Sequence, residues 1–241
     1  MASPDVTRWP GGVNDATEVG AYYGYAGLRP YRYFMFNDDF IRYTATDWVV
    51  TETDAGSTEA ITATGPEGVL AITNVSAGAT DAASIQWAGG SGAVSTQFVW
   101  DSTTDFILEA RFKVSVAATT GALVGIADTD TAPVASLPTN GIFFNKTSAS
   151  AALLANIRKA GASTTIALGD VADDTYVTCV LYYSGSKGTW QAFLNNALVG
   201  SVSTASITPT VAMAPTIGVL NGDTAALVLS VDKLFVAKQR S

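Results

Sequence analysis

Apolar and polar positions alternate with a period of two through a long series of short runs, the signature of half-buried β-strands. The clearest run spans 106–116. There Phe106, Leu108, Ala110, Phe112, Val114 and Val116 share one face, and Ile107, Glu109, Arg111, Lys113 and Ser115 the other. The pattern predicts strands at 39–43, 48–52, 69–73, 84–87, 97–100, 106–116, 122–127 and 141–145. It continues at 151–159, 164–168, 176–183, 189–194, 197–202, 216–220 and 226–237. Turn chemistry separates several of them: Ser184-Gly-Ser-Lys-Gly188, Leu194-Asn-Asn-Ala197 and Asn221-Gly222 all supply residues that tolerate positive φ. No stretch shows helical spacing over a useful length. Many short strands with frequent turns predict an all-β, two-sheet antiparallel sandwich.

The first 36 residues follow another rule. Trp9, Tyr22, Tyr23, Tyr25, Tyr31, Tyr33, Phe34 and Phe36 are interleaved with Gly11, Gly12, Gly20, Gly24, Gly27, Pro10 and Pro30. Gly and Pro at that density rule out a helix, while a disordered tail would be poor in aromatics. The expected division is an extended arm at 1–36 and a sandwich at 37–241. Such an arm is ordered by lying on another chain, or by folding back over its own domain, because exposed aromatics must be covered. Its candidate contact residues are Trp9, Tyr22, Tyr23, Tyr25, Arg29, Tyr31, Arg32 and Tyr33, since Tyr, Trp and Arg dominate binding hot spots.

Composition removes whole classes of chemistry. The 241 residues suit one large domain, or one domain plus an arm. Only 14% of residues are charged, where about a quarter is usual. There is no histidine, which excludes Ser-His-Asp and Cys-His triads, His-ligated zinc and haem. The one cysteine, Cys179, sits in the apolar run Tyr176-Val-Thr-Cys-Val-Leu-Tyr-Tyr183 and reads as a buried, inert thiol. Thirteen basic against 21 acidic side chains give −8, and no Lys precedes Lys113, so nucleic acid is not the expected partner. The first residues lack the basic-then-apolar order of a signal peptide, and no apolar run approaches the ~20 residues that cross a bilayer. No membrane partner and no cofactor are expected.

Candidate polar groups are few. Asp38 and Asp39 are adjacent, so on a strand they point to opposite faces. Asp128-Thr-Asp130, Asp173-Asp174 and Asn221-Gly-Asp223 are oxygen clusters too small for calcium, which needs six to eight oxygens; polar turn residues capping strands is the expected role. Trp48, Trp87, Trp100 and Trp190 would serve either as a sugar-stacking platform or as packing between sheets. Asn74-Val-Ser76 and Asn145-Lys-Thr147 match the N-glycosylation sequon.

Several segments together resemble the concanavalin A-like (laminin-G-like) jelly rolls, in the version found in phage structural proteins. They are Phe36-Asn-Asp-Asp-Phe40, Phe106-Ile-Leu-Glu-Ala-Arg-Phe112, Val124-Gly-Ile-Ala-Asp-Thr-Asp130 and Asn140-Gly-Ile-Phe-Phe144. They continue with Asp174-Thr-Tyr-Val-Thr178, Thr189-Trp-Gln-Ala-Phe-Leu-Asn-Asn196 and Ser230-Val-Asp-Lys-Leu-Phe-Val236. The resemblance spans 37–238 and implies that the last strand pairs with the opening one. Glycosidases of this superfold carry two carboxylates on one strand, whereas 106–116 offers Glu109 alone, so no enzyme is expected. The resemblance implies a virion structural protein, a capsid decoration (cement) protein on the outer capsid surface of a phage head. Its partners would be the major capsid protein and copies of itself in a trimer. The alternative is a lectin-like module with a glycan as partner, used in host attachment as a head fibre or tail component.

Overall fold

The computed structural model describes residues 6–8, 14–16, 33–53, 55–62, 68–75, 78, 80–203 and 209–240. Strands β1 (Val6–Arg8) and β2 (Asn14–Ala16) pair antiparallel with each other. The sandwich then begins with β3 (Tyr33–Asp38), β4 (Trp48–Glu52), β5 (Thr58–Ile61), β6 (Leu70–Asn74) and β7 (Ala82–Trp87). Next come β8 (Phe106–Val114), β9 (Thr120–Ala127), β10 (Gly141–Lys146), β11 (Ala152–Lys159) and β12 (Ala162–Asp170). It ends with β13 (Val177–Ser184), β14 (Thr189–Leu194), β15 (Ala197–Ser203), β16 (Ala214–Asn221) and β17 (Leu227–Gln239).

Two antiparallel sheets result. One runs β12-β11-β10-β9-β16-β7-β4; the other runs β15-β14-β13-β8-β17-β6-β5, with β3 also paired to β17. The period-two reading of β8 places Phe106, Leu108, Ala110, Phe112 and Val114 between the sheets. They meet Leu229, Val231, Leu234 and Val236 of β17 and, from the facing sheet, Val124, Ile126, Phe144, Ile157 and Ile217. Cys179 lies in this core, where burial pushes its thiol up from its ordinary value. The β14–β15 hairpin turns on Asn195 and Asn196, both at positive φ (49° and 69°), a conformation Asn adopts with little strain.

Three expectations are corrected. The strand expected at 39–43 lies earlier, at Tyr33–Asp38. Asp38 Oδ1 accepts from the Phe40 amide at 2.8 Å, closing an Asx turn, and Phe40 itself takes a positive φ of 49° that strand geometry forbids. Residues 97–100 make only an isolated bridge, Phe98 to Met213, and β5 is a strand the alternation does not announce. The expected boundary between 36 and 37 falls inside β3, whose residues pair with β17 from Leu234↔Asp38 to Gln239↔Tyr33. Phe34 and Phe36 point into the core, Phe34 edge-on to Phe98 (4.9 Å) and Phe36 to Trp87 (5.2 Å).

Candidate functional site

The polar chemistry collects at one end of the seven-stranded sheet, where the β9–β10 connection (128–140) returns over the sheet's outer face. Neighbouring strands line up a row across that face: Val49, Gln86, Thr216, Gly125, Phe143, Asn156 and Thr165. Gln86 is the hinge of the arrangement. Its Nε2 donates to the Asp128 carbonyl (2.9 Å) and to Thr216 Oγ1 (3.0 Å), and its Oε1 accepts from the Asp130 amide (3.0 Å). Asp128 Oδ2 then accepts from both the backbone amide (3.1 Å) and Nδ2 (2.8 Å) of Asn140. Asn140 Oδ1 accepts from the Ala160 amide in the β11–β12 turn. One carboxylate and two amide side chains thus lock both ends of the loop to β7 and to the β11–β12 turn. Asp128 Oδ1 is buried and has no partner among the described residues.

The middle of the loop is apolar. Val134 and Leu137 lie over Ala82, Leu123, Phe143 and Leu220, closing the centre of this face. Val134 comes so near Gly218 that a Cβ there would sit 3.2 Å from the valine Cβ. Farther along the same face, Asn156 Nδ2 donates to Asn145 Oδ1, while Asn156 Oδ1 and Arg158 Nε are buried without partners among the described residues.

The outer face of the eight-stranded sheet carries a charge ladder. Along β8, Glu109 pairs with Lys233 (3.0 Å), Arg111 with Asp232 (2.5 Å) and Lys113 with Asp174 (3.1 Å). Tyr176 lies under the Arg111 guanidinium at 4.3 Å. Glu109 is therefore held by a cation, and the next outward positions on its strand are Arg111 and Lys113.

The sequence candidates distribute as follows. Trp9, Tyr22, Tyr23, Tyr25, Arg29, Tyr31 and Arg32 lie outside the described residues; Tyr33 opens β3 on the outer face of the eight-stranded sheet. The four tryptophans form no sugar platform. Trp48 and Trp87 meet edge-on at 5.2 Å between the sheets, and Trp100 and Trp190 pack with Tyr183 and Phe106, so their faces are taken by other rings. The sequon amides Asn74 and Asn145 are both buried and hydrogen-bonded inward, which closes them to glycosylation in the folded chain. The turn carboxylates cap backbone amides: Asp130 takes Ala132 N, Asp173 takes Ala117 N, and Asp223 takes Thr224 N. Among the described residues no group of three or more Cys, Asp or Glu could hold a metal ion, and no helix is long and apolar enough to cross a membrane. Gln86 and Thr216 are not announced by the sequence. Gln86 is visible there only as an ordinary polar position of an alternating strand, and its partner lies 130 residues away.

No family model matches the chain, and no curated protein matches it. Solved structures do. Peanut lectin, in a complex with a nine-residue peptide, aligns with a TM-score of 0.59 at 11% identity, over 87% of this chain and 99% of the lectin. The carbohydrate recognition domain of Emp47p aligns at 0.57 and 11%, over 89% and 100%. A family 16 endo-glucanase from Bacteroides ovatus aligns at 0.59 and 13%, over 83% and 99%. The chain therefore has the two-sheet jelly-roll fold shared by concanavalin A-like lectins and family 16 glycoside hydrolases.

Proposed function

We propose that this chain is a non-catalytic, lectin-like binding module whose ligand is a carbohydrate, bound at the loop end of the seven-stranded sheet around Asp128, Asp130 and Asn140. The observation that carries the reading is the doubly anchored Asp128–Asn140 pair. Sugar hydroxyls are recognised by planar carboxylate and amide groups whose rotamers are already fixed by second hydrogen bonds, because nothing then has to be ordered on binding. End-to-end similarity to a lectin and to a carbohydrate recognition domain supports it. The ion pairing of Glu109, with cations at the next outward positions, supports binding over glycoside hydrolysis, which uses two carboxylates. The test is a broad glycan array with the whole chain, repeated with Asp128→Ala and Asp130→Ala. A ligand whose affinity falls at least tenfold in the variants supports the site. An intact chain that binds no glycan, or that hydrolyses a polysaccharide, overturns the reading.

A second reading rests on the aromatic segment 1–36. It makes the chain a virion protein that decorates a phage capsid surface, touching the major capsid protein and its own copies about a threefold axis. Its Trp, Tyr and Arg content supports a gripping role. Co-purification with particles in hundreds of copies is the expected result, and absence from purified particles overturns it.

A further inference from the structure

The β9–β10 loop is fastened at its ends and only rests on the sheet in its middle. Asp128, Asp130 and Asn140 tie the ends to Gln86 and to the β11–β12 turn. Among the described residues the hydrogen bonds of 131–138 stay inside the loop. The Ala132 amide donates to Asp130 Oδ1, and the amides of Ala135 and Ser136 donate to the Ala132 carbonyl. What holds this stretch down is the apolar contact of Val134 and Leu137 with the cluster around Leu123 and Phe143. Leu137 takes a φ of 47°, a left-handed conformation that a bulky side chain adopts only at a cost. A segment held in this way lifts before the strands beneath it separate.

The ground beneath it is not simply apolar. Phe143 is fully buried, and its ring lies over Gly141, where a Cβ would sit 2.7 Å from two ring carbons. Across on β11 the register partner of Phe143 is Asn156, and that of Gly141 is Arg158. Asn156 is 2% exposed; its Nδ2 donates to Asn145 Oδ1, while its Oδ1 has no partner among the described residues. Arg158 donates from Nη1 to Ser163 Oγ (3.0 Å), and its Nε is buried and likewise unpartnered among them. Buried polar atoms left in this state are costly to keep, which marks a place where a partner belongs. One acceptor and one donor, two residues apart on one strand face and each fixed by a second hydrogen bond, thus stand beside an aromatic ring.

We propose that Phe143, Asn156 and Arg158 form a subsite for one sugar ring, opened when the middle of the 128–140 loop lifts. A sugar suits it because neighbouring hydroxyls both donate, here to Asn156 Oδ1, and accept, here from Arg158 Nε. The apolar face of the same ring then lies on Phe143. The assignment rests on the carbohydrate reading and extends it. Phe143 is three residues along β10 from Asn140, about 10 Å, so a glycan held at Asp128 and Asn140 reaches the subsite with its next residues. The chain therefore selects oligosaccharides over single sugars.

Two measurements on the full-length chain test this. Asn156→Cys puts a thiol into the subsite, and native Cys179 in the core is the internal reference. Under native conditions the thiol at position 156 is expected to react with an aromatic disulfide reagent at least tenfold faster than Cys179, which is reached only when the sandwich itself opens. Equal rates overturn the opening of the loop. The second measurement compares matched mono- and tetrasaccharides of the gluco-, galacto- and manno-series by calorimetry. The native chain is expected to bind one tetrasaccharide at least tenfold more tightly than its monosaccharide. Arg158→Ala is expected to abolish that gain and leave the monosaccharide affinity unchanged, whereas Asp128→Ala lowers both. Asp128-dependent binding that shows no gain with length, or a gain that Arg158→Ala leaves intact, overturns the subsite alone. A native chain that binds none of these sugars overturns the carbohydrate reading and the subsite with it.

Discussion

Arg111 on β8 and Asp232 on β17 meet at 2.5 Å on the outer face of the eight-stranded sheet, and a bulge makes the contact possible. The β8–β17 register shifts between Val231 and Lys233, so that Asp232 and Lys233, consecutive in sequence, both reach the outer face. In an unbroken strand they would point to opposite sides. The extra residue therefore completes two ion pairs at once, Arg111–Asp232 and Lys233–Glu109. Asp232→Ala takes the carboxylate away from the partly buried guanidinium and is expected to cost about 1–3 kcal/mol in urea unfolding. The exposed pair Lys113–Asp174 is the control: Asp174→Ala is expected to cost under about 1 kcal/mol on pairing grounds, with its positive φ of 48° better served by Asn or Gly.

The loop end of the seven-stranded sheet depends on one glutamine. Gln86→Leu removes three hydrogen bonds and leaves the Asp128 carbonyl, Asp130 amide and Thr216 hydroxyl to find other partners. The expected cost is about 2–4 kcal/mol. Amide exchange should rise across 128–140 before it rises in β9 or β10; uniform exchange throughout the sheet would contradict the anchoring role.

Gly125 is a steric requirement. A Cβ at that position would lie 2.5 Å from both the Ile142 carbonyl oxygen and the Phe143 Cα, which are backbone atoms that cannot swing away. Gly125→Ala is expected to open the β9–β10 pair and to destabilise by about 3 kcal/mol or more, measured as a fall in the unfolding midpoint.

Lys146 is buried with its Nζ donating to the Thr120 and Thr147 carbonyls at 2.6 and 3.0 Å. Burial lowers its pKa from 10.5 to about 8, with Asp173 partly opposing the change. The unfolded chain therefore binds more protons than the folded one between about pH 8 and 10.5, and stability rises with pH across that window. Burial raises the Tyr43 phenol from 10.0 to about 12, so between about pH 10 and 12 the folded chain keeps a proton that the unfolded one has released, and stability falls with pH over that range. Denaturant titrations from pH 7 to 10 should show a gain of up to about 3 kcal/mol, since a tenfold change in proton affinity is worth about 1.4 kcal/mol. Lys146→Met should flatten that rise.

The inner faces are legible because period two survives wherever one side of a strand meets the core. Trp48–Glu52 and Thr189–Leu194 have the bounds that alternation predicts. Alternation falters where both sides are buried, as along Thr120–Ala127, and where neither is deeply buried, as at Thr58–Ile61. The opening strand is displaced from its expected place because Phe36 and Phe40 look alike in sequence; only the Asx turn at Asp38 shows that the chain has already left the sheet by Phe40. The Asp128 and Asn140 segments stand out in the sequence, but their bond does not, because a thirteen-residue loop has to fold back before they meet. Gln86 and Thr216 carry no local signal at all, since their pairing is a product of strand order.

The thirteen-residue strand β17 lies beside β8 along one edge and is bordered on its other edge by β6 and then β3. The earlier strand β3 must wait for it during synthesis: Tyr33 finds its partner only when Gln239 has been made. Until then the eight-stranded sheet is cut in two, and Phe34 and Phe36 have no strand to hold them over the core. Folding of this sandwich thus waits for β17 and is governed by contacts between distant parts of the chain, which makes it slow. During that interval the nascent chain presents open strand edges on both sides of the missing β17, and that is when misassociation with a neighbouring nascent copy is most readily seeded.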